Sequence, residues 1–132
     1  MQDARLVVLS FANRLVAVDA HTGQRVWEHE IESTVACRLW VGHELVICAA
    51  RGAVLCLDYR SGALRWQAPH PFGNEANVLV FAGCVLVSAA GETLSLNLQT
   101  GVQLWYDEFK GYGQGGGAMA APGAAAQLDR YR

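Results

Sequence analysis

The residues able to do chemistry are few, and their spacing argues against a catalytic site. Asp19 and Asp58 form a pair of carboxylates in matching surroundings, Asp-Ala-His-Thr-Gly and Asp-Tyr-Arg-Ser-Gly. Paired carboxylates serve general acid–base catalysis when they converge on one substrate. These two occupy the same position of a repeated motif, and a third occurrence carries Asn97 there, so a turn-capping role is expected. His21, His29, His43 and His70 never fall at metal-ligand spacing. No Ser-His-Asp arrangement, nucleophile elbow or Gly-rich strand-to-helix loop is present. Cys37, Cys48, Cys56 and Cys84 lack the paired spacing of a zinc site and lie in or beside apolar runs, so buried thiols are expected. No enzyme, cofactor or metal is expected from these residues.

The elements that position them are set by an internal repeat, the first thing to seek in a sequence. Asp19-Ala-His-Thr-Gly-Gln-Arg-Val-Trp27 recurs as Asp58-Tyr-Arg-Ser-Gly-Ala-Leu-Arg-Trp66 and as Asn97-Leu-Gln-Thr-Gly-Val-Gln-Leu-Trp105. The period is 39 residues between Gly23, Gly62 and Gly101, and again between the tryptophans. Upstream of each motif two apolar runs hold the same register, Leu6–Leu9 over Leu45–Cys48 and Cys84–Val87, then Leu15–Val18 over Val54–Leu57 and Thr93–Leu96. Short, β-branched runs bounded by turn residues read as strands. Their weak alternation suits sheets covered on both faces. Asn13-Arg14, Arg51-Gly52 and Gly91-Glu92 mark hairpin turns between the runs.

Within the motif, Asp19, Asp58 or Asn97 accepts bonds from amides two and three residues on. Thr22, Ser61 or Thr100 reinforces the turn, and Gly23, Gly62 or Gly101 takes a positive φ. Trp27, Trp66 and Trp105 supply large apolar faces that wedge between adjacent repeats, while each N–H finds a backbone carbonyl oxygen. A carbohydrate platform would not require so strict a period.

Composition bounds the partners. The 132-residue chain is 52% hydrophobic and 17% charged, with 10 basic and 12 acidic residues and a net charge of −2. Such a balance builds no positive field for nucleic acid or an anionic membrane surface. The N-terminal Met-Gln-Asp-Ala-Arg has no signal-peptide pattern, and a cytoplasmic location is expected.

The motif resembles the pyrroloquinoline-quinone-like β-propeller repeat, whose docking signature has the form Ala-Leu-Asp-Ala-x-Thr-Gly-x-x-x-Trp, most nearly in Ala17–Gly23 with Trp27. It is also similar to the repeats of the outer-membrane β-barrel assembly lipoproteins, without a signal peptide or lipobox. The resemblance implies an all-β chain of three four-stranded antiparallel blades, about 5–32, 33–71 and 72–110. It does not carry over the quinone site, because the adjacent-cysteine pair and acidic cluster of the quinone dehydrogenases match nothing here.

Blade 1 has only Met1–Arg5 for an inner strand, whereas blades 2 and 3 have runs near Val35–Val41 and Asn77–Phe81. The same period places a fourth inner strand near Gly113–Ala120, in a Gly/Ala-rich tail of residues 111–132 whose end could dock as a short turn. The expected assembly is a homodimer closing a six-bladed propeller, with the tail as a possible seam-closing strand. The expected function is non-catalytic protein–protein interaction or assembly, through loop residues Trp40, His43, His70, Phe72 and Asn74, with Pro69 beside them. A purely structural subunit is the alternative, and a small-ligand-binding or enzymatic propeller a more distant one.

Overall fold

Three antiparallel sheets stack in chain order, and a fourth begins behind them. The structure is a computed structural model and describes residues 5–32, 37–72, 76–89, 91–110 and 118–127, the last four by backbone alone. The first sheet contains β1 (Leu6–Phe11), β2 (Arg14–Asp19) and β3 (Arg25–Glu30). The second contains β4 (Arg38–Gly42), β5 (Leu45–Ala50), β6 (Ala53–Asp58) and β7 (Leu64–Pro69). The third contains β8 (Asn77–Phe81), β9 (Cys84–Ala89), β10 (Glu92–Asn97) and β11 (Gln103–Asp107). The all-β, three-blade expectation holds, and blade 1 has three strands among its described residues. No helix among the described residues is long and apolar enough to cross a membrane.

The central sheet explains the unbroken apolar runs. All six residues of β5 are buried. Leu45, Ile47 and Ala49 pack toward Val78, Val80, Val85 and Val87 of the third sheet. Val46, Cys48 and Ala50 pack toward Leu15, Ala17 and Trp27 of the first. A strand with a sheet on either side has no solvent face to fill with polar residues. β1 shows the converse. Leu6 and Val8 pack on the second sheet, while Val7, Leu9 and Phe11 are 45%, 38% and 54% exposed. By register these three match Val46, Cys48 and Ala50, so they lie on the face turned away from blade 2.

The tail differs from expectation in one respect. β12 (Ala118–Ala121) ends where the fourth inner strand is expected, but it is paired antiparallel with an unforeseen strand, β13 (Ala124–Gln127). Pro122-Gly123 makes the turn, with Gly123 at φ +79°. The hairpin lies against β8, through β13 more than through β12. Gly113–Gly117 and residues 128–132, where the rest of the strand and a docked turn are expected, lie outside the described residues. So do Val35 and Ala36; the second inner strand begins at Arg38.

Candidate functional site

The signature motif builds the same turn three times. Asp19 Oδ1 accepts bonds from the amides of His21 (2.8 Å) and Thr22 (3.1 Å). Asp58 Oδ2 accepts from the amides of Arg60 (3.1 Å) and Ser61 (2.9 Å) and from the Ser61 hydroxyl (3.0 Å). Asn97 Oδ1 accepts from the amides of Gln99 (2.8 Å) and Thr100 (3.0 Å). Thr22, Ser61 and Thr100 each accept a bond at 3.2 Å from the amide two residues on. Amide donation to the ionised form, from His21 first, holds Asp19 below the usual carboxylate range; donation chiefly from Ser61 does so for Asp58. The carboxylates are turn caps, and an amide oxygen does the same work at Asn97.

These turns form sockets for the tryptophans. The Trp27 indole N–H donates to the Tyr59 carbonyl oxygen at 2.8 Å, and the Trp66 indole N–H donates to that of Leu98 at 2.9 Å. A Cβ on Gly62 would stand 2.5 Å from the Trp27 ring, and one on Gly101 would stand 2.5 Å from the Trp66 ring. Each glycine therefore serves twice, supplying a φ near +77° and a bare floor for an aromatic face. Opposite each tryptophan the sheet register slips by one residue, at Ala17/Val18, Cys56/Leu57 and Ser95/Leu96. This repeated bulge sharpens the strand twist beside the indole.

The series is unfilled at both ends. Trp105, the third tryptophan, is 44% exposed, with Leu104 and Tyr106 beside it at 50% and 39%. Gly23, the first socket floor, would present a Cβ to nothing within 4 Å. Among the described residues the chain thus carries one open donor and one open socket.

The expected loop residues divide. Trp40 and His43 lie together, ring centroids 5.9 Å apart, and line a cavity of about 530 Å³ with Phe81, Leu98 and Pro122. Sequence reasoning missed Phe81 and Pro122. A register comparison of the hairpin turns at His43-Glu44, Ala82-Gly83 and Pro122-Gly123 would have found them, since all three face this cavity or border it. His70 and Phe72 are not exposed loop residues; each is only 6% exposed. The His70 Nδ1 accepts from the Phe72 amide, and its Nε2 donates to the Ala50 carbonyl oxygen, tying the end of blade 2 across the β5–β6 turn. Asn74 lies outside the described residues. Of the cysteines, Cys48 and Cys56 are buried and none forms a disulfide. Burial first of all pushes the Cys56 thiol up to about 11, the profile of an inert core thiol.

The family model described as outer membrane protein assembly factor BamB matches residues 1–122. The chain belongs to this family. Among solved structures, BamB from Moraxella catarrhalis is similar with a TM-score of 0.66 and 28% identity, covering 80% of this chain and 34% of that one. A quinohemoprotein alcohol dehydrogenase from Pseudomonas putida gives 0.66 at 15% identity, covering 77% of this chain and 19% of that one. Another from Comamonas testosteroni gives 0.64 at 19% identity, with 78% and 19% covered. The dehydrogenases share the fold alone, a propeller of pyrroloquinoline-quinone type. The chain spans about a third of the BamB structure and a fifth of each dehydrogenase. No curated protein sequence matches it. No three His, Cys, Asp or Glu side chains among the described residues converge to hold a metal ion.

Proposed function

We propose that this BamB-family chain is a non-catalytic propeller module that acts by protein–protein contact in the assembly of outer membrane proteins. The observation that carries this reading is the family match across residues 1–122. The side-chain chemistry agrees with it. Both signature aspartates are spent on turn amides, and the buried histidine is spent on backbone groups. The feature left for a partner is aromatic. Trp40 and His43 border an open cavity beside the hairpin turns, and rigid aromatic anchors next to concave surface are the common currency of protein contacts.

Calorimetric titration of the chain against the purified bacterial outer membrane protein assembly complex tests the reading. Saturable binding that weakens in a Trp40→Ala, His43→Ala double variant is the expected result. Absence of binding, together with dye-linked oxidation of ethanol by the chain supplied with pyrroloquinoline quinone and calcium, would replace it with an enzymatic one.

A further inference from the structure

Strand pairing in blade 2 brings two thiols together. Arg38 opposite Ala49 and Leu39 opposite Cys48 set the register of β4 on β5. Cys37 therefore stands one step before the first paired residue of β4, diagonal to Cys48. Both side chains lie on the face of blade 2 that packs toward Leu15, Ala17 and Trp27 of blade 1. Their thiols share a hydrogen bond there. The other two thiols are apart from this pair. Cys56 packs on the opposite face of the sheet, toward blade 3, and Cys84 begins β9 beside the Ala82-Gly83 turn.

The two members of the pair differ in access and in how their backbones are held. Cys37 is half-buried, whereas Cys48 is fully enclosed. Cys48 sits in the middle of β5, with a paired strand on either side. The Cys37 amide donates instead to the Ser10 hydroxyl of β1 at 2.7 Å, so it is not part of the β4–β5 ladder. A diagonal pair in an antiparallel sheet stands somewhat wider than a disulfide requires. Here the residue that must move to close that gap is the one outside the ladder.

We propose that Cys37 and Cys48 form a thiol–disulfide exchange site, closed into an intrachain disulfide by a low-molecular-weight disulfide of the glutathione class. The Cys37 thiolate attacks one sulfur of the external disulfide. A mixed disulfide forms on Cys37, and the first small thiolate leaves and takes up a proton. Cys48 then gives up its proton to solvent, and its sulfur attacks the Cys37 sulfur. The bond to the second small thiol breaks, and that thiolate is protonated in turn. Two protein thiols are oxidised and one external disulfide is reduced to two thiols, so electrons and protons balance. Access sets the order, because a reagent in solution reaches Cys37 and not Cys48. The shared hydrogen bond with Cys37, and then burial, push the Cys48 thiol up, so it is a poor first nucleophile. Capping Cys37 as the mixed disulfide removes the thiol with which Cys48 shares its proton. The finished bridge ties the entry of β4 to the buried strand β5 and stabilises blade 2 by restricting the unfolded chain. The inference is independent of the interaction-module reading.

Oxidation of the full chain tests it. The reduced chain is incubated with oxidised glutathione at mildly alkaline pH, alkylated, and mapped without reduction by peptide mass spectrometry. The expected product is a Cys37–Cys48 cross-link that dithiothreitol reverses. The melting midpoint of the oxidised chain should lie about 5 °C or more above that of the reduced chain. Cys48→Ala should stop at the first step and accumulate a glutathione adduct on Cys37. Cys37→Ser should leave Cys48 unmodified, and circular dichroism of both variants checks that the β-structure is retained. Any of four results on the parent chain overturns the inference. These are a Cys37 and Cys48 that stay free, a Cys37 adduct that never passes on to Cys48, a bond from either residue to Cys56 or Cys84, and an oxidised chain that melts no higher than the reduced one. A Cys37–Cys48 bond that forms as readily in urea would overturn it as well, since the fold would then contribute nothing to the pairing.

Discussion

The Trp66 indole nitrogen donates a hydrogen bond to the carbonyl oxygen of Leu98 at 2.9 Å, joining blade 2 to blade 3 across 32 residues of sequence. The same vector runs from Trp27 to Tyr59, also 32 residues apart. Local turn chemistry and long-range packing are thus one device. The turn that Asp58 or Asn97 stabilises is also the surface on which the preceding blade rests.

Trp66→Ala removes both the indole bond and the ring that covers Gly101. Truncating a Trp in a packed site typically costs about 3–5 kcal/mol. His43→Ala, beside Trp40 at a hairpin turn, should stay within about 0.5 kcal/mol, as substitutions away from the core do. Thermal melts of the two variants check the difference, and equal midpoints would remove Trp66 from its docking role.

Gly62→Ala should cost more than Gly52→Ala, although both glycines have φ near +78°. A side chain in the left-handed region costs roughly 1–2 kcal/mol in either case. At Gly52 nothing stands within 4 Å of the added methyl, so the conformational cost is all that applies. At Gly62 the methyl would meet the Trp27 ring at 2.5 Å, and the ring is pinned by its bond to Tyr59. Denaturant unfolding of both variants gives the comparison directly, and the excess at Gly62 measures the seam.

His70 should make stability fall on acidification. Burial, the largest effect, lowers its pKa below 6.5, against the partly opposing bonds to the Ala50 and Ala53 backbone. The neutral ring is the form that fits, since Nδ1 must accept from the Phe72 amide. With the folded pKa below the unfolded one, the unfolded chain binds the proton first. The contribution is therefore complete above about pH 6.5 and is lost as pH falls through the lower folded value. Urea midpoints at a series of pH values should decline in that window. His70→Gln, which cannot titrate, should flatten the decline, and an unchanged slope would assign it to other groups.

How far the sequence foretold this structure depends on the element. Blade period, turn residues and docking tryptophans were legible because each is a short-range signal repeated in register, and Asp58, Gly62 and Trp66 repeat it at the centre. β13 was not legible by composition, since Ala-Ala-Ala-Gln carries no β-branched or aromatic residue. Only the Pro122-Gly123 turn announced it. His70 and Phe72 were misplaced for a different reason. A His between two prolines looks like loop chemistry, and only the fold reveals the Ala50 carbonyl oxygen and Phe72 amide that satisfy its ring in the interior.

Tyr59 offers a test of how blade 1 is held without a described inner strand. Its hydroxyl accepts a bond from the Leu6 amide and donates one to the Leu6 carbonyl oxygen, both at 2.9 Å. These are backbone groups on the open edge of β1, of the kind that an inner strand engages in the other blades. Tyr59 itself is only 2% exposed, and its own carbonyl oxygen receives the Trp27 indole. Tyr59→Phe keeps the ring and the backbone acceptor but strips Leu6 of both bonds. Leaving a buried polar group unsatisfied costs about 1–3 kcal/mol, and the half-buried edge at Leu6 should place the loss near the lower end. The effect should also be local. Amide exchange at Leu6 should accelerate sharply, while the β5 amides in the core of blade 2 change only as much as global stability does. Unaltered protection at Leu6 in the Phe variant would show that the hydroxyl is not what closes this edge.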